Sequence, residues 1–278
     1  MRSVPRVMED LELSMIWAEV QAQPTALGRW RHRLTWWKQR RYIRDLLRRM
    51  DGCTVVSQRE RQMVLDVVPD YCPLGVVPNG VELARYRGDF GSVEPDTLIF
   101  PGALTYKANF DAMRFFLSKV FPRIRAARPG VVLRITGRTE GVDLHRLLLD
   151  DGVVLTGYLN DVRPAVARST VCVVPLRVGG GTRLKILEAM ALGTPVVSTT
   201  KGAEGLEATP GEGILIADTP PAFADAVLRL LDDGSLRARL SANGLRLVAE
   251  RYGWDRIGRR LEQFLRGVVR THRTGAMR

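Results

Sequence analysis

The stretch Val171-Cys172-Val173-Val174-Pro175-Leu176-Arg177-Val178-Gly179-Gly180-Gly181-Thr182-Arg183-Leu184-Lys185-Ile186-Leu187-Glu188-Ala189-Met190-Ala191-Leu192-Gly193-Thr194-Pro195-Val196-Val197-Ser198 decides how this chain is read. It reads as strand, glycine loop, short helix and strand. Val171–Val174 is an apolar run suited to a buried strand. Thr182 is placed to cap the helix that follows. Arg183 and Lys185 fall in its first turn, where the helix macrodipole disfavours cations unless an anion sits with them. A glycine loop that opens a helix also exposes backbone N–H groups to an anion, here around Gly180, Gly181 and Thr182. Together these features describe a diphosphate cradle. A tight turn carrying two solvated basic residues is the plainer alternative.

Outward from this stretch, strands and helices alternate from about Thr97. Strands are expected at Thr97–Phe100, Val131–Thr136, Gly152–Thr156, Pro195–Ser198 and Gly213–Ala217, besides Val171–Val174. Helices are expected from Asn109 to Ala127, with Ala112, Phe115, Phe116 and Val120 on one face, and over Val142–Leu149 and Asp161–Ala167. Such alternation argues for an α/β fold with a Rossmann-like parallel sheet and helices on both faces. These sheets bind ligands beyond the carboxyl ends of their strands, and Gly102, Gly137, Gly157 and Gly179–Gly181 all fall there. Three helical patterns follow, Pro220–Leu231, Ser235–Arg251 and Trp254–Val269, then a basic tail expected to be mobile, Arg270–Arg278.

The first part differs. Leu11–Val20 reads as a helix, Gly52–Ser57 as a strand, Arg59–Val67 as a helix and Gly75–Pro78 as a short strand. This makes an incomplete N-terminal α/β segment ahead of the main sheet. Between Arg29 and Arg49, Arg and Lys are dense and Trp30, Trp36, Trp37 and Tyr42 are interleaved. As a helix this stretch admits three readings: a solvated face with its tryptophans turned to the core, an anionic membrane surface, or nucleic acid.

Composition narrows the classes. A formal net charge of +12 and a pI near 10.3 favour polyanions, anionic lipid or phosphorylated small molecules as partners. Cys53, Cys72 and Cys172 give no disulfide framework and fit a reducing, cytoplasmic compartment. His32, His145 and His272 are scattered, so no metal site is expected. No apolar run reaches the roughly 18 residues of a membrane span. Glu9, Asp10 and Glu12 occupy the place of a signal peptide's apolar core.

Residues from about Val76 to Leu265 resemble the C-terminal half of a retaining GT-B-fold glycosyltransferase of family 4, the group 1 glycosyltransferases. The resemblance is carried by Val77-Pro78-Asn79-Gly80-Val81, Phe100-Pro101-Gly102-Ala103-Leu104, Val154-Leu155-Thr156-Gly157-Tyr158 with Asp161-Val162, Leu187-Glu188-Ala189-Met190-Ala191 with Gly193-Thr194-Pro195-Val196-Val197, and Lys201-Gly202-Ala203-Glu204-Gly205-Leu206.

The resemblance implies a nucleotide diphosphate sugar as substrate and no cofactor or metal. It implies that Glu188 accepts from the ribose hydroxyls and that Arg183 and Lys185 neutralise the leaving diphosphate. Gly180, Gly181 and Thr182 would complete the cradle, and Gly102, Lys107 and Tyr158 would line the donor site. It implies front-face attack assisted by the leaving phosphate, with retention. Where the family carries a second Glu eight residues before Glu188, this chain has Gly180; where an Arg often follows the first-strand glycine, it has Ala103.

Three segments are therefore expected: 1–75 as a remnant of the acceptor domain, 76–252 as the nucleotide-sugar domain, and 253–278 as a crossing helix with a basic tail. Most of the acceptor domain is expected to be absent, so a separate acceptor-domain chain is one candidate partner. An anionic membrane at Arg29–Arg49 is another, and nucleic acid is not expected. A nucleotide-sugar-binding fragment without turnover, or a basic membrane-surface module, are the alternatives to a transferase. Ile257, Leu261 and Phe264 are expected to cover part of residues 11–70.

Overall fold

The structure is a computed structural model that describes residues 4–9, 11–13, 25–179 and 182–275. The described residues divide into two compact units.

The first unit holds the described residues up to Gly80, Gly179 and Thr182, and the described chain from Trp254 onward. Its parallel sheet has the order β1 (Val7–Met8), β2 (Gly52–Val55), β3 (Leu74–Val76). Helix α1 (Ala26–Leu47) lies between β1 and β2, and α2 (Gln58–Val67) between β2 and β3. Each helix starts at a hydroxyl cap: Thr25 Oγ1 accepts the Gly28 N–H at 3.0 Å, and Ser57 Oγ that of Glu60 at 3.2 Å. Ile43 and Leu47 of α1 and Val64 and Val67 of α2 bury against Cys53 and Val55 of β2.

The sequence reading needs correction at three places in this unit. Leu11–Leu13 are not helical: Leu13 is fully buried, and its N–H donates to the Glu60 carboxylate at 2.6 Å. The rest of the expected helix, residues 14–20, lies outside the described residues. The tryptophans of α1 do not all turn inward, since Trp30 is 63% and Trp37 58% exposed while Trp36 packs on the core. The closing helix α9 (Trp254–Gly275) runs past Val269, so Arg270–Gly275 continues the helix, and residues 276–278 of the expected tail lie outside the described residues. Phe264 and Val268 of α9 lie against Gly52 and Gly75; a β-carbon on Gly75 would come within 2.7 Å of the Phe264 ring. Further along α9, His272 Nδ1 lies 3.2 Å from Asp51 Oδ1.

The second unit is a six-stranded parallel sheet ordered β6 (Val153–Gly157), β5 (Val132–Thr136), β4 (Glu94–Pro101), β7 (Ser169–Val174), β8 (Val196–Ser198), β9 (Leu215–Ile216). All six residues of β7 are buried, as expected of a central strand covered on both faces. Between β4 and β5 runs α3 (Lys107–Phe115), a π turn (Phe116–Val120) and α4 (Phe121–Ala127). The π turn interrupts what reads as one helix and buries Phe116, Leu117 and Val120. Phe116 meets Phe223 of α7 (Pro220–Asp232) edge to face at 5.8 Å. On the other face, α6 (Leu184–Ala191) pairs with α8 (Gly234–Arg251), and the short α5 (Arg163–Ala167) leads into β7.

The helix expected over Val142–Leu149 is only a 3-10 turn, Leu144–Arg146. Leu147 is buried and Val142 and Leu144 pack partly on the core, but Leu148 is 63% exposed and Leu149 is exposed too, so the apolar residues do not form one buried helical stripe.

At the carboxyl edge of the sheet, the Gly102 N–H donates to Thr136 O at 3.2 Å and the Gly137 N–H to Gly157 O at 2.8 Å. Gly137 has φ +99°, and a β-carbon there would stand 2.6 Å from Ala103 N. Gly137→Ala is therefore expected to destabilise the protein by about 2 kcal/mol or more, read as a lowered midpoint in urea or thermal unfolding.

Candidate functional site

The chain leaves β4 toward β5 and β6 on one side, then returns to β7, β8 and β9 on the other. The reversal falls between β4 and β7, and a parallel sheet opens a crevice at the carboxyl ends of two such strands. Gly102 follows β4 at this point, and α6 follows β7. Side chains from both arms of the fold meet here.

Lys185, in the first turn of α6, is the centre. Its Nζ donates to Asn109 Oδ1 at 2.9 Å and lies 4.1 Å from the centre of the Phe100 ring. A β-carbon on Gly102 would stand 2.6 Å from this nitrogen, so a side chain there would push the lysine from its present place. Asn109 is held in turn, its amide donating to Ala103 O at 2.9 Å. Burial, reinforced by the nearby Arg183 charge, pushes the Lys185 ammonium down from 10.5 to about 8. That shift is worth about 3 kcal/mol against the charged form. A cation kept here at neutral pH is held at a cost, and an incoming anion would relieve it.

Arg183 and Glu188 flank the lysine on the same helix. Arg183 is 7% exposed, and one guanidinium nitrogen lies 3.5 Å from the Lys201 carbonyl in the loop after β8. Glu188 Oε1 accepts the hydroxyl of Tyr86 at 3.0 Å. Tyr86 ends a 3-10 turn, Leu83–Tyr86, that packs on α6. Burial and then the Glu188 charge push the Tyr86 phenol up to about 12, so at neutral pH it is the donor. Cys172 of β7 is fully buried, and burial pushes its thiol up to about 12 as well. It is an inert thiol under the site rather than a nucleophile.

The structure thus brings Gly102, Arg183, Lys185 and Glu188 to one end of the sheet. Thr182 is not the cap of α6: Arg183 occupies that position and no side chain caps the helix. Gly180 and Gly181 lie outside the described residues. Lys107 opens α3 with its side chain exposed. Tyr158 is 62% exposed beyond β6, two strands from β4, with the Arg138 guanidinium 5.5 Å from its ring. Asp161 holds the start of α5, accepting the Arg163 N–H at 2.9 Å.

Tyr86 and Asn109 went unread in the sequence. Asn109 could have been found, because it is the one polar residue in the buried stripe Ala108, Asn109, Ala112, Met113 of α3. Tyr86 carries no such mark. Among the described residues no group of three or more His, Cys, Asp and Glu could hold a metal ion. None of their helices is long and apolar enough to cross a membrane.

Known structures share this architecture. Anabaena Alr3699/HepE, solved in complex with UDP and glucose, superposes with a TM-score of 0.73 at 15% identity, covering 94% of this chain and 71% of its own. TarM superposes with a TM-score of 0.69 at 16% identity, covering 82% and 46%. At such identities the likeness is one of fold, the α/β architecture of GT-B glycosyltransferases.

The family of glycosyl transferases group 1 matches residues 95–233, half of the 278-residue chain, and the chain belongs to it. A Corynebacterium glutamicum relative named GDP-mannose-dependent monoacylated alpha-(1-6)-phosphatidylinositol monomannoside mannosyltransferase is 31% identical over 256 residues. A Mycobacterium tuberculosis relative named GDP-mannose-dependent alpha-(1-6)-phosphatidylinositol monomannoside mannosyltransferase is 27% identical over 260 residues. Each alignment covers 83% of this chain and 66% of the relative, so the chain spans just under two thirds of their length.

Two measurements probe the site without a ligand. The folded pKa of Lys185 lies below that of an unfolded lysine, so between about pH 8 and 10.5 the unfolded chain binds more protons and this group's contribution to stability rises with pH. The difference in unfolding free energy between wild type and Lys185→Met should therefore shift in favour of wild type by about 2–3 kcal/mol from pH 7 to pH 10. Tyr86→Phe should cost about 1–2 kcal/mol in the same assay, as Glu188 loses its donor.

Proposed function

We propose that this chain carries the donor site of a glycosyltransferase that binds a nucleotide diphosphate sugar at the carboxyl ends of β4 and β7. The convergence of Lys185, Gly102 and Glu188 at that crevice carries the reading. The diphosphate lies along the start of α6, with Arg183 and Lys185 as its counter-charges. Glu188 grips the ribose, because an ionised carboxylate accepts from two neighbouring hydroxyls at once. Gly102 lets the backbone approach. Cleavage of the bond from sugar to phosphate places a further charge on the leaving diphosphate. Cations already fixed beside it stabilise that charge more than they stabilise the bound donor.

In this reading transfer is metal-independent, needs no cofactor and retains the configuration of the sugar, with the leaving phosphate assisting front-face attack. The relatives named GDP-mannose-dependent support a guanosine diphosphate sugar as donor, and their phosphatidylinositol-linked substrates support a lipid-linked acceptor. The solved relative that holds UDP and glucose supports uridine as the second base to test.

Isothermal titration with GDP, UDP and GDP-mannose tests the donor site. Binding is expected for one of the bases, and Arg183→Ala and Glu188→Ala should each weaken it tenfold or more, about 1.4 kcal/mol or more. Wild-type affinity should decline as pH rises through about 8, because Lys185 then loses its proton and the diphosphate its counter-charge. No heat with any of the three ligands, or equal affinity in both variants, rejects the site. Release of free nucleotide from a labelled donor separates transfer from binding without turnover.

A further inference from the structure

Helix α1 carries on its outer side a line of side chains for which the described fold has no use. Leu27, Trp30, Leu34 and Trp37 are spaced three, four and three residues apart, which keeps them on one stripe of a helix. They are 69%, 63%, 39% and 58% exposed, whereas Ile43 and Leu47 on the inner side are buried. The helical repeat places Arg31 and Lys38 along one flank of the stripe and Arg33 along the other, where Arg40 is turned to α2 and donates to Asp66 O at 2.7 Å. Past Trp37 the same line continues in Arg41, Arg44 and Arg48, which form a polar groove beside Trp37. Asp45 is the single acidic residue of α1.

The mixture selects the partner. Indole rings and long arginine stems both suit a surface that is apolar below and anionic above. A polynucleotide would pair with the arginines and leave Leu27 and Leu34 with nothing to enter. A second copy of this face would set Arg31, Arg33, Lys38 and Arg41 against their own like charges. We propose that α1 lies in the interfacial plane of an anionic phospholipid bilayer. Leu27, Trp30, Leu34 and Trp37 enter the boundary between headgroups and acyl chains, and the flanking cations meet the lipid phosphates. This docking rests on α1 alone and stands or falls apart from the donor site, whose nucleotide binding is measured separately.

The full chain is sedimented with vesicles of phosphatidylcholine alone and of phosphatidylcholine mixed with phosphatidylglycerol, while tryptophan emission is followed. Pelleting with the anionic vesicles only, a blue shift of the emission, and release by salt are expected. The double variant Trp30→Ser/Trp37→Ser should lose tenfold or more in partitioning and most of the blue shift. Arg31→Gln/Lys38→Gln should lose about twenty-five-fold, at roughly fivefold per cation. Both pairs sit on exposed positions, and an unchanged thermal unfolding midpoint verifies their fold. Four results would overturn the proposal: no pelleting with anionic vesicles; equal pelleting with neutral ones; partitioning untouched in both variants; or a blue shift produced by duplex DNA or an acidic protein but not by vesicles.

Discussion

Gly102 has no side chain, and the ammonium of Lys185 occupies the room that one would fill. The candidate site follows from this packing. The lysine reaches the crevice because β4 ends in Pro101-Gly102 and leaves the ring of Phe100 open to it. It stays there because Asn109 supplies an oxygen and is itself tied to Ala103. Strand β4 therefore provides an aromatic floor, its loop an absence, helix α3 an acceptor and helix α6 the charge. Removing any of the four would change how the ammonium is held. The parallel sheet makes such a meeting possible, since its carboxyl edge is where connections running to opposite sides part company.

The two units use positive charge in different ways. In the second, Arg183 and Lys185 are drawn inward, and burial sharpens their interaction with whatever anion arrives. In the first, Arg40 and Arg44 of α1 donate to carbonyls of α2, while Arg31, Arg33 and Arg41 are exposed, where their charge is a field that salt weakens. A formal charge of +12 says nothing about this division.

Much of the architecture was legible because it is local. Apolar runs and glycines punctuate the strands and helices, so the α/β class and its parallel sheet could be anticipated from alternation, while the order of the strands in the sheet could not. The helical stretch from Asn109 to Ala127 was visible, but not its start at Lys107 or the π turn inside it, where Phe116 meets the rings of Phe121 and Phe223. At the site, Arg183 and Lys185 could be read from their place at the start of a helix, and Glu188 from the family resemblance. Their partners could not: Asn109 is 76 residues from Lys185, and Tyr86 is 102 from Glu188. No period or spacing carries information over that range. The three exposed aromatics of α1 were read as interleaved with charge, yet which of them face water follows only from how α1 seats on β2.

The bond between Tyr86 and Glu188 has a consequence for the resting molecule. The phenol offers the carboxylate the same kind of O–H that a ribose would offer, so one oxygen of Glu188 is already satisfied when the crevice is empty. In the proposed reading a nucleoside would either use the second oxygen alone or trade places with the phenol. The net gain on filling would then be an exchange of one hydroxyl for another, smaller than the contacts of the filled state taken by themselves would suggest.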